Sequence, residues 1–342
     1  MDGLIRFSLT QRLMMLILVV VLIGFGWKAF NDTPIDAFPD VSTTQVKIIL
    51  KAPGMTPEEV ESRITALVEV EMLGIPKQRM LRSVVKYGLT DITVDFEEGT
   101  DIYWARQQVA ERLSAINDTL PADIQGGLAP LTTPLGEMFM FTVNSPTLDL
   151  MQRRELLDWV IRPALRSVEG VADVNSLGGY VKTFEIIPDL VKLAALNISL
   201  ADIQHTLEMN NRNDGAGRID EGEEVLLVRA QGSLQNLDDI KRLVVKSDAN
   251  EPVLLSQVAE CRIGSLTRYG AVSANGQGEA VQGLVLGLRG ANAKKVVAGI
   301  EKRLADLQPS LPDDVTIDVF YNRGELVADA IHGVNKALIE AV

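Results

Sequence analysis

Apolar positions along the chain follow three different rhythms, and each predicts a different kind of element. From Leu13 to Phe30 they run for 18 residues with Lys28 as the one ionisable side chain. At 1.5 Å per residue, a helix needs roughly 17 to 25 such residues to cross a hydrocarbon core. No A-x-A cleavage arrangement follows, and Trp27 and Phe30 suit an interfacial belt, so the run reads as a retained transmembrane helix and not a cleaved export signal. Arg6 and Arg12 precede it while Asp32, Asp36 and Asp40 follow. That asymmetry places the N-terminus in the cytoplasm and the residues after about 31 on the far side of the membrane, which in a bacterium puts them outside the inner membrane, in the periplasm. Pro34 and Pro39 bias their neighbours toward extended backbone, which predicts a stiff, unpaired strap at the exit.

The second and third rhythms then alternate. In "TTQVKIIL" a period of two places Val46, Ile48 and Leu50 on one strand face. In "GMTPEEVESRITALVEVEM" Thr56 is an N-cap, Pro57 the first helical residue and Glu59 the return arm of a capping box. Val60, Ile64, Leu67 and Val68 form the expected buried stripe of that helix. Two strands follow, "LRSVVKY" and "DITVDF", the latter with Ile92, Val94 and Phe96 on one face. A helix over "DIYWARQQVAERLSAI" comes next, with Ile102, Ala105, Val109, Leu113 and Ile116 on one side, and "LPADI" leads to a last short strand. The order is βαββαβ, a split ferredoxin-like unit.

The pattern then restarts and is interrupted. "MFMFTV" reads as a strand, "LMQRRELLDWVIRPALRSV" as a helix with a break near Pro163, and "VADVNSL" as a strand. The missing half appears much later, as the strand "AVQGLVLGL", a helix with Val296, Ile300, Leu304 and Leu307 on one side, and the strand "VTIDVFY". The turns entering the two final strands echo each other, Leu120-Pro121-Ala122-Asp123-Ile124 and Leu311-Pro312-Asp313-Asp314-Val315. The interruption carries a helix capped by Ser199 with Asp202 three residues on, the polar stretch "NNRNDGAGRIDEGEE" and the strand "VLLVRAQ". That polar stretch is either a solvent loop or the tip of a long hairpin reaching a neighbouring subunit.

The expected fold is therefore a membrane-anchored α+β protein with one transmembrane helix and two ferredoxin-like units, the second interrupted by an inserted α+β domain. The boundaries are 1–33 for the N-terminus and membrane helix, 34–130 for the first unit, 131–180 and 271–325 for the two halves of the second, and 181–270 for the insertion. Residues 326–342 carry a stripe of Val327, Ile331, Val334 and Leu338, but Lys336 and Glu340 make the segment an approach to a membrane and not a span.

Composition narrows the function. A net charge of −13 argues against nucleic acid, which selects basic faces. The single cysteine, Cys261, has no internal disulfide or Cys-x-x-Cys partner and reads as a small buried apolar residue. His205 and His332 lack ligand-spaced partners, and no HExxH, phosphate-binding GxxxxGK[ST] or GxSxG motif is present, so no enzyme chemistry is indicated.

The stretches "TPIDAFPDVSTTQV", "APGMTPEEVE", "GTDIYWARQQVAERL", "LGEMFMFTV", "VEGVADVNSLGGY" and "YNRGELV" together resemble the heavy-metal branch of the resistance-nodulation-division efflux pumps, the cobalt-zinc-cadmium resistance pumps above all. The resemblance implies that the two ferredoxin-like units are porter subdomains and the insertion a docking domain whose hairpin enters the adjacent protomer of a homotrimer. It also implies a periplasmic adaptor, an outer-membrane channel, proton-driven export of zinc or a similar divalent cation, and no resident cofactor. Such pumps are about three times longer, so the chain is expected to be an N-terminal fragment, not competent for transport alone. The alternatives are a membrane-anchored periplasmic interaction module, a truncated non-transporting product, or part of a multidrug pump. Asn322 departs from the aspartate usual in the family's "YDR" triplet. By the resemblance, Glu137 is a candidate metal ligand facing the substrate cleft, and a carboxylate is a suitable oxygen ligand for zinc; a solvated strand-end acid is the competing reading. Alternation sets Glu137, Phe139 and Phe141 on one face and Met138 and Met140 on the other, the methionines being core residues or soft ligands for Cu(I).

Overall fold

The computed structural model describes residues 10–32, 42–133, 135–221, 224–230, 232–247 and 252–341. The proline strap, Arg6, and the hairpin residues 222–223 lie outside the described residues. Helix α1, Arg12–Asp32, buries none of its apolar window against the rest of the chain and is the one helix among the described residues long and apolar enough to cross a membrane. An apolar surface of this length left unburied by its own chain is what a lipid-facing helix requires.

The first repeat is a four-stranded sheet of β1 (Gln45–Lys51), β2 (Gln78–Lys86), β3 (Leu89–Phe96) and β4 (Gln125–Leu128), in the order β2-β3-β1-β4. Its helices are α2, residues 57–72, and α3, Ile102–Ala115. All three strand pairings are antiparallel, and β1 is central, with Ile48 opposite both Ile92 and Leu128. The expected faces are the buried ones: Val46, Ile48, Leu50, Ile92, Val94 and Phe96 form one core with Val60, Ile64, Val68, Ala105 and Val109. Trp104 packs edge-on against Phe96 with ring centroids 6.4 Å apart.

Leu67 is the exception, because the structure exposes it. Residues Glu61–Thr65 form a π turn, which shifts the phase of everything after it. The buried stripe accordingly runs Val60, Ile64, Val68, Met72, at steps of four. Thr65, buried, donates its hydroxyl to the Val60 carbonyl at 3.2 Å, five residues back, and contacts the Thr90 hydroxyl at 2.9 Å. The side chain thus adds a hydrogen bond to a carbonyl at the start of the wide turn.

The second sheet contains β5 (Glu137–Asn144), β6 (Val171–Gly178), β14 (Glu279–Gly287) and β15 (Thr316–Asn322), with β14 beside β5, β5 beside β15, and β6 on β14. Counted within the repeat, the order is again 2-3-1-4. Helix α4 covers residues 150–166 and does not break at Pro163: Leu157–Ile161 form a π turn and Pro163 is the second residue of the segment after it. An interior proline costs a hydrogen bond and clashes with the carbonyl four residues back, and the wide turn supplies the room. Helix α9, Ala293–Leu307, buries Val296, Ile300 and Leu304 and packs on β5 and on the end of α4. The echoed turns are structurally equivalent. Each follows a short 3₁₀ segment, Asn117–Thr119 or Gln308–Ser310, and each closes on a proline carbonyl, from Ile124 N at 3.3 Å and from Val315 N at 3.0 Å.

Between β6 and β14 the chain builds β7 (Lys182–Pro188), α5 (Leu190–Leu196), α6 (Leu200–Asn210), β8 (Asp214–Glu221), β9 (Glu224–Ala230), α7 (Leu237–Lys241), β10 (Val244–Ser247), β11 (Pro252–Leu254), α8 (Leu255–Val258), β12 (Ala259–Ser265) and β13 (Val272–Ser273). Ser199 and Asp202 form the capping box on α6, and β7 pairs antiparallel with β12. Leu193, Ile203, Ile240, Leu255, Val258 and Cys261 form a core here, so the cysteine is buried and free. Strands β8 and β9 make a long hairpin, most of the polar stretch being strand and not tip. Its base is tied by Asn213, whose side-chain oxygen accepts from Gly232 N at 3.1 Å and Ser233 N at 3.2 Å.

By chain contact the protein divides into two compact units, Met1–Asn144, Asp158–Ser176 and Gln282–Val342 in one, Ser145–Leu157 and Leu177–Val281 in the other. The last helix, α10 (Arg323–Ala341), buries Val327 but exposes Val334, so the expected apolar stripe leaves the core after its first turn.

Candidate functional site

Glu137 is the first residue of β5 and is exposed, whereas Phe139 and Phe141 behind it are fully buried. The expected single face therefore divides: the two rings go to the core and the carboxylate stays in solvent. Met138 is buried against Gly287, where it fills the space a Cβ would occupy, which is the core reading of that residue. Among the described residues no group of three or more His, Cys, Asp or Glu side chains converges as a metal site. His205 and His332 are exposed.

The backbone that presents Glu137 is tightly tied. Gly136 N donates to the Thr133 carbonyl at 2.8 Å, and the Gly136 carbonyl accepts from Gly287 N at 2.8 Å. A Cβ at Gly136 would lie 1.9 Å from the Thr132 hydroxyl oxygen and 3.0 Å from the Thr133 carbonyl oxygen, so only glycine fits this approach. Arg323, only 4% exposed, donates from Nη1 to the Leu135 carbonyl and, at 3.5 Å, to that of Glu137. Sequence reasoning used Arg323 only as a letter in "YNRGELV"; an arginine at a strand-to-helix junction gives no local sign that it will be buried.

Asn322 caps α10. Its side-chain oxygen accepts from Gly324 N at 2.9 Å and Glu325 N at 3.3 Å, while its amide nitrogen donates to Glu301 Oε1 at 2.8 Å. An aspartate could accept from the same N–H groups but would set a second negative charge against Glu301, so the asparagine suits its neighbours here.

A cavity of about 400 Å³ opens where β1, α3 and the chain after β4 meet β6 and the end of β14, with Lys47, Arg106, Asp173, Asn175 and Arg289 in its lining. Arg106 donates to the Ala129 carbonyl at 2.5 Å, and burial holds its pKa below the usual guanidinium value. Arg289 donates to the Ser42 and Thr43 carbonyls. Asp173, the lining's one carboxylate among the described residues, is already ion-paired with Arg162 at 3.3 Å and Arg166 at 3.2 Å. The cavity as arranged offers a cation no free carboxylate, so Glu137 remains the candidate.

An exposed apolar helix that is a candidate membrane span, followed by two sheets of the same strand order, the second carrying a large insertion, defines an α+β protein with a repeated sheet. The chain belongs to the AcrB/AcrD/AcrF family, whose model matches residues 4–342. It is 41% identical to Protein HelA of Legionella pneumophila over 99% of its own length and 33% of that protein's. It is 37% identical to the cobalt-zinc-cadmium resistance protein CzcA of Cupriavidus metallidurans, again over 99% of this chain and 33% of the relative. A solved heavy metal efflux pump superposes with a TM-score of 0.89 at 34% identity, covering 98% of this chain and 34% of the pump. The resemblance read from the motifs is thus to the right branch, and the chain spans about a third of the length of the relatives it matches.

Proposed function

We propose that the chain is the N-terminal third of an inner-membrane efflux transporter of the resistance-nodulation-division type, which exports zinc or a similar divalent cation by proton antiport and needs no resident cofactor. The observation that carries this reading is likeness along nearly the whole chain, in sequence and in fold, to proteins named for metal resistance and metal efflux. The two sheets serve as ferredoxin-like porter subdomains, residues 34–130 and residues 131–180 with 271–325; their matching strand orders support this. Residues 181–270 serve as the docking domain, whose β8–β9 hairpin enters a neighbouring copy in a homotrimer, and residues 326–342 lead toward a second membrane helix. The N-terminus is cytoplasmic, and the periplasmic part works with an adaptor and an outer-membrane channel. Glu137 supplies one oxygen ligand in the substrate cleft. One carboxylate cannot hold zinc tightly, since such sites use three or four ligands, so the others come from the remaining two thirds of the transporter.

The test is graded zinc, cobalt and cadmium tolerance of a metal-sensitive bacterium expressing the full-length transporter, with and without a protonophore. Protection that collapses with the proton gradient is expected, together with reduced zinc tolerance for Glu137→Gln at unchanged trimer assembly. Failure to protect against all three metals would overturn the reading. Full protection by the Glu137→Gln transporter would leave Glu137 a solvated strand-end acid.

A further inference from the structure

We infer that Arg323 is the positioning residue of the Glu137 segment: it ties the carbonyls on either side of the Glu137 side chain, those of Leu135 and Glu137, to the first turn of α10, so that the root of α10 fixes where the carboxylate stands. This rests on the reading of Glu137 as a substrate ligand. Arg323 grips main chain, donating to the Leu135 and Glu137 carbonyls across 188 and 186 residues of sequence. Bonds of this kind move a backbone segment as a body, and the segment has little freedom to respond in any other way. Gly136 is held on both its N–H and its carbonyl, to Thr133 and Gly287, and has no room for a side chain.

The other end of the tie is equally fixed. The first turn of α10 is capped by Asn322, which also donates to Glu301 of α9, and Val327 one turn on is 1% exposed. β15, directly before it, pairs with β5 up to Asn322 opposite Phe139. The register shifts between Val319 and Tyr321, a bulge of the kind that re-aims side chains beside functional sites. Beyond Val327 the helix is largely exposed, with Val334 at 61%. A rigid root with a free distal half transmits a displacement of the helix to β5 through Arg323. Both bonds leave Nη1, whose N–H groups are held in the guanidinium plane, a fixed geometry that a freely rotating ammonium lacks.

The test uses the full-length transporter in proteoliposomes, with zinc uptake measured against zinc concentration. Arg323→Met keeps the volume and removes the donors; Arg323→Lys keeps the charge and loses the fixed donor plane. For Arg323→Met the half-saturating zinc concentration should rise by about tenfold with the maximal rate within about twofold, the pattern of a displaced ligand. Arg323→Lys should fall between it and the parent. In a Glu137→Gln background Arg323→Met should add nothing, because it acts through the residue already lost. Should Arg323→Met fail to assemble, Gly136→Ala displaces the same carbonyls without touching the arginine and should give the same shift. A Glu137→Gln effect with none from Arg323→Met or Gly136→Ala would overturn the inference and leave the site intact. Additive effects would overturn it as well. If Glu137→Gln itself changes nothing, the site assignment fails first, and the positioning role fails with it.

Discussion

Gly283 on β14 faces the ring of Phe141, and the repeat depends on that approach. A Cβ built at Gly283 would stand 2.2 Å from Cζ and 2.6 Å from Cε1 of Phe141, distances that real carbon atoms do not adopt. Phe141 is fully buried and shares the core with Phe139, its ring centroid 6.2 Å away, so it has no exposed direction in which to yield. Overpacking of this sort costs about 1 to 3 kcal/mol. The better backbone entropy of alanine returns roughly 0.5 to 1 kcal/mol of that. With an overlap this close the cost lies in the upper half of its range, and after a return of about 1 kcal/mol Gly283→Ala should destabilise by about 1 to 2 kcal/mol, which for a domain of this size lowers the melting midpoint by roughly 2 to 8 °C. The assay is thermal unfolding of the detergent-solubilised protein followed by tryptophan fluorescence. Phe141→Leu alone also destabilises, by leaving part of the ring volume empty. In that background, however, the added methyl group has space, so Gly283→Ala should become nearly neutral, a coupling of about 1 to 2 kcal/mol between two touching positions. A Gly283→Ala protein as stable as the parent, or one whose penalty is the same with leucine at 141, would refute the steric account.

Three further outcomes follow from local geometry. Asp101 caps α3 by accepting from Trp104 N at 2.7 Å, so Asp101→Ala should cost about 1 kcal/mol in denaturant unfolding and raise amide exchange in the first turn of α3. Pro163→Ala should change stability by less than about 1 kcal/mol, because the π turn already accommodates the ring; a gain near 3 kcal/mol would show that the proline is strained in place. Asp202 is held below the usual carboxylate range by the backbone N–H and then the hydroxyl of Ser199, each at 2.8 Å. A depressed folded pKa contributes stability above the unfolded value of about 3.9 and loses it as pH falls through the folded value. Exchange protection of α6 should accordingly fall off in that acidic window, and Ser199→Ala should move the onset to higher pH; an unchanged profile would contradict the assignment.

The sequence by itself determined the elements whose causes are local. The capping boxes at Thr56 and Ser199, the strand faces of Val46, Ile48 and Leu50, the helical stripe of α9 and the proline turns at 121 and 312 each depend on residues within a few positions of one another. Side-chain period and cap chemistry therefore announce them. The repeat was legible for the same reason, since two runs of local signals in one order can be compared without knowing how they pack. Tertiary structure decided the features whose causes are distant. The π turn in α2 leaves Leu67 in solvent because the helix must fit the sheet through Val60, Ile64, Val68 and Met72, a demand that no window around Leu67 contains. The π turn in α4 carries the chain through Pro163, where local rules end a helix. Glu137 was named from a resemblance, but the arginine that holds its backbone is 186 residues away and has no periodicity or motif to betray its burial. Period and caps act over a single turn or strand, whereas a buried guanidinium satisfied by carbonyls exists only once β5, β15 and α10 have been brought together.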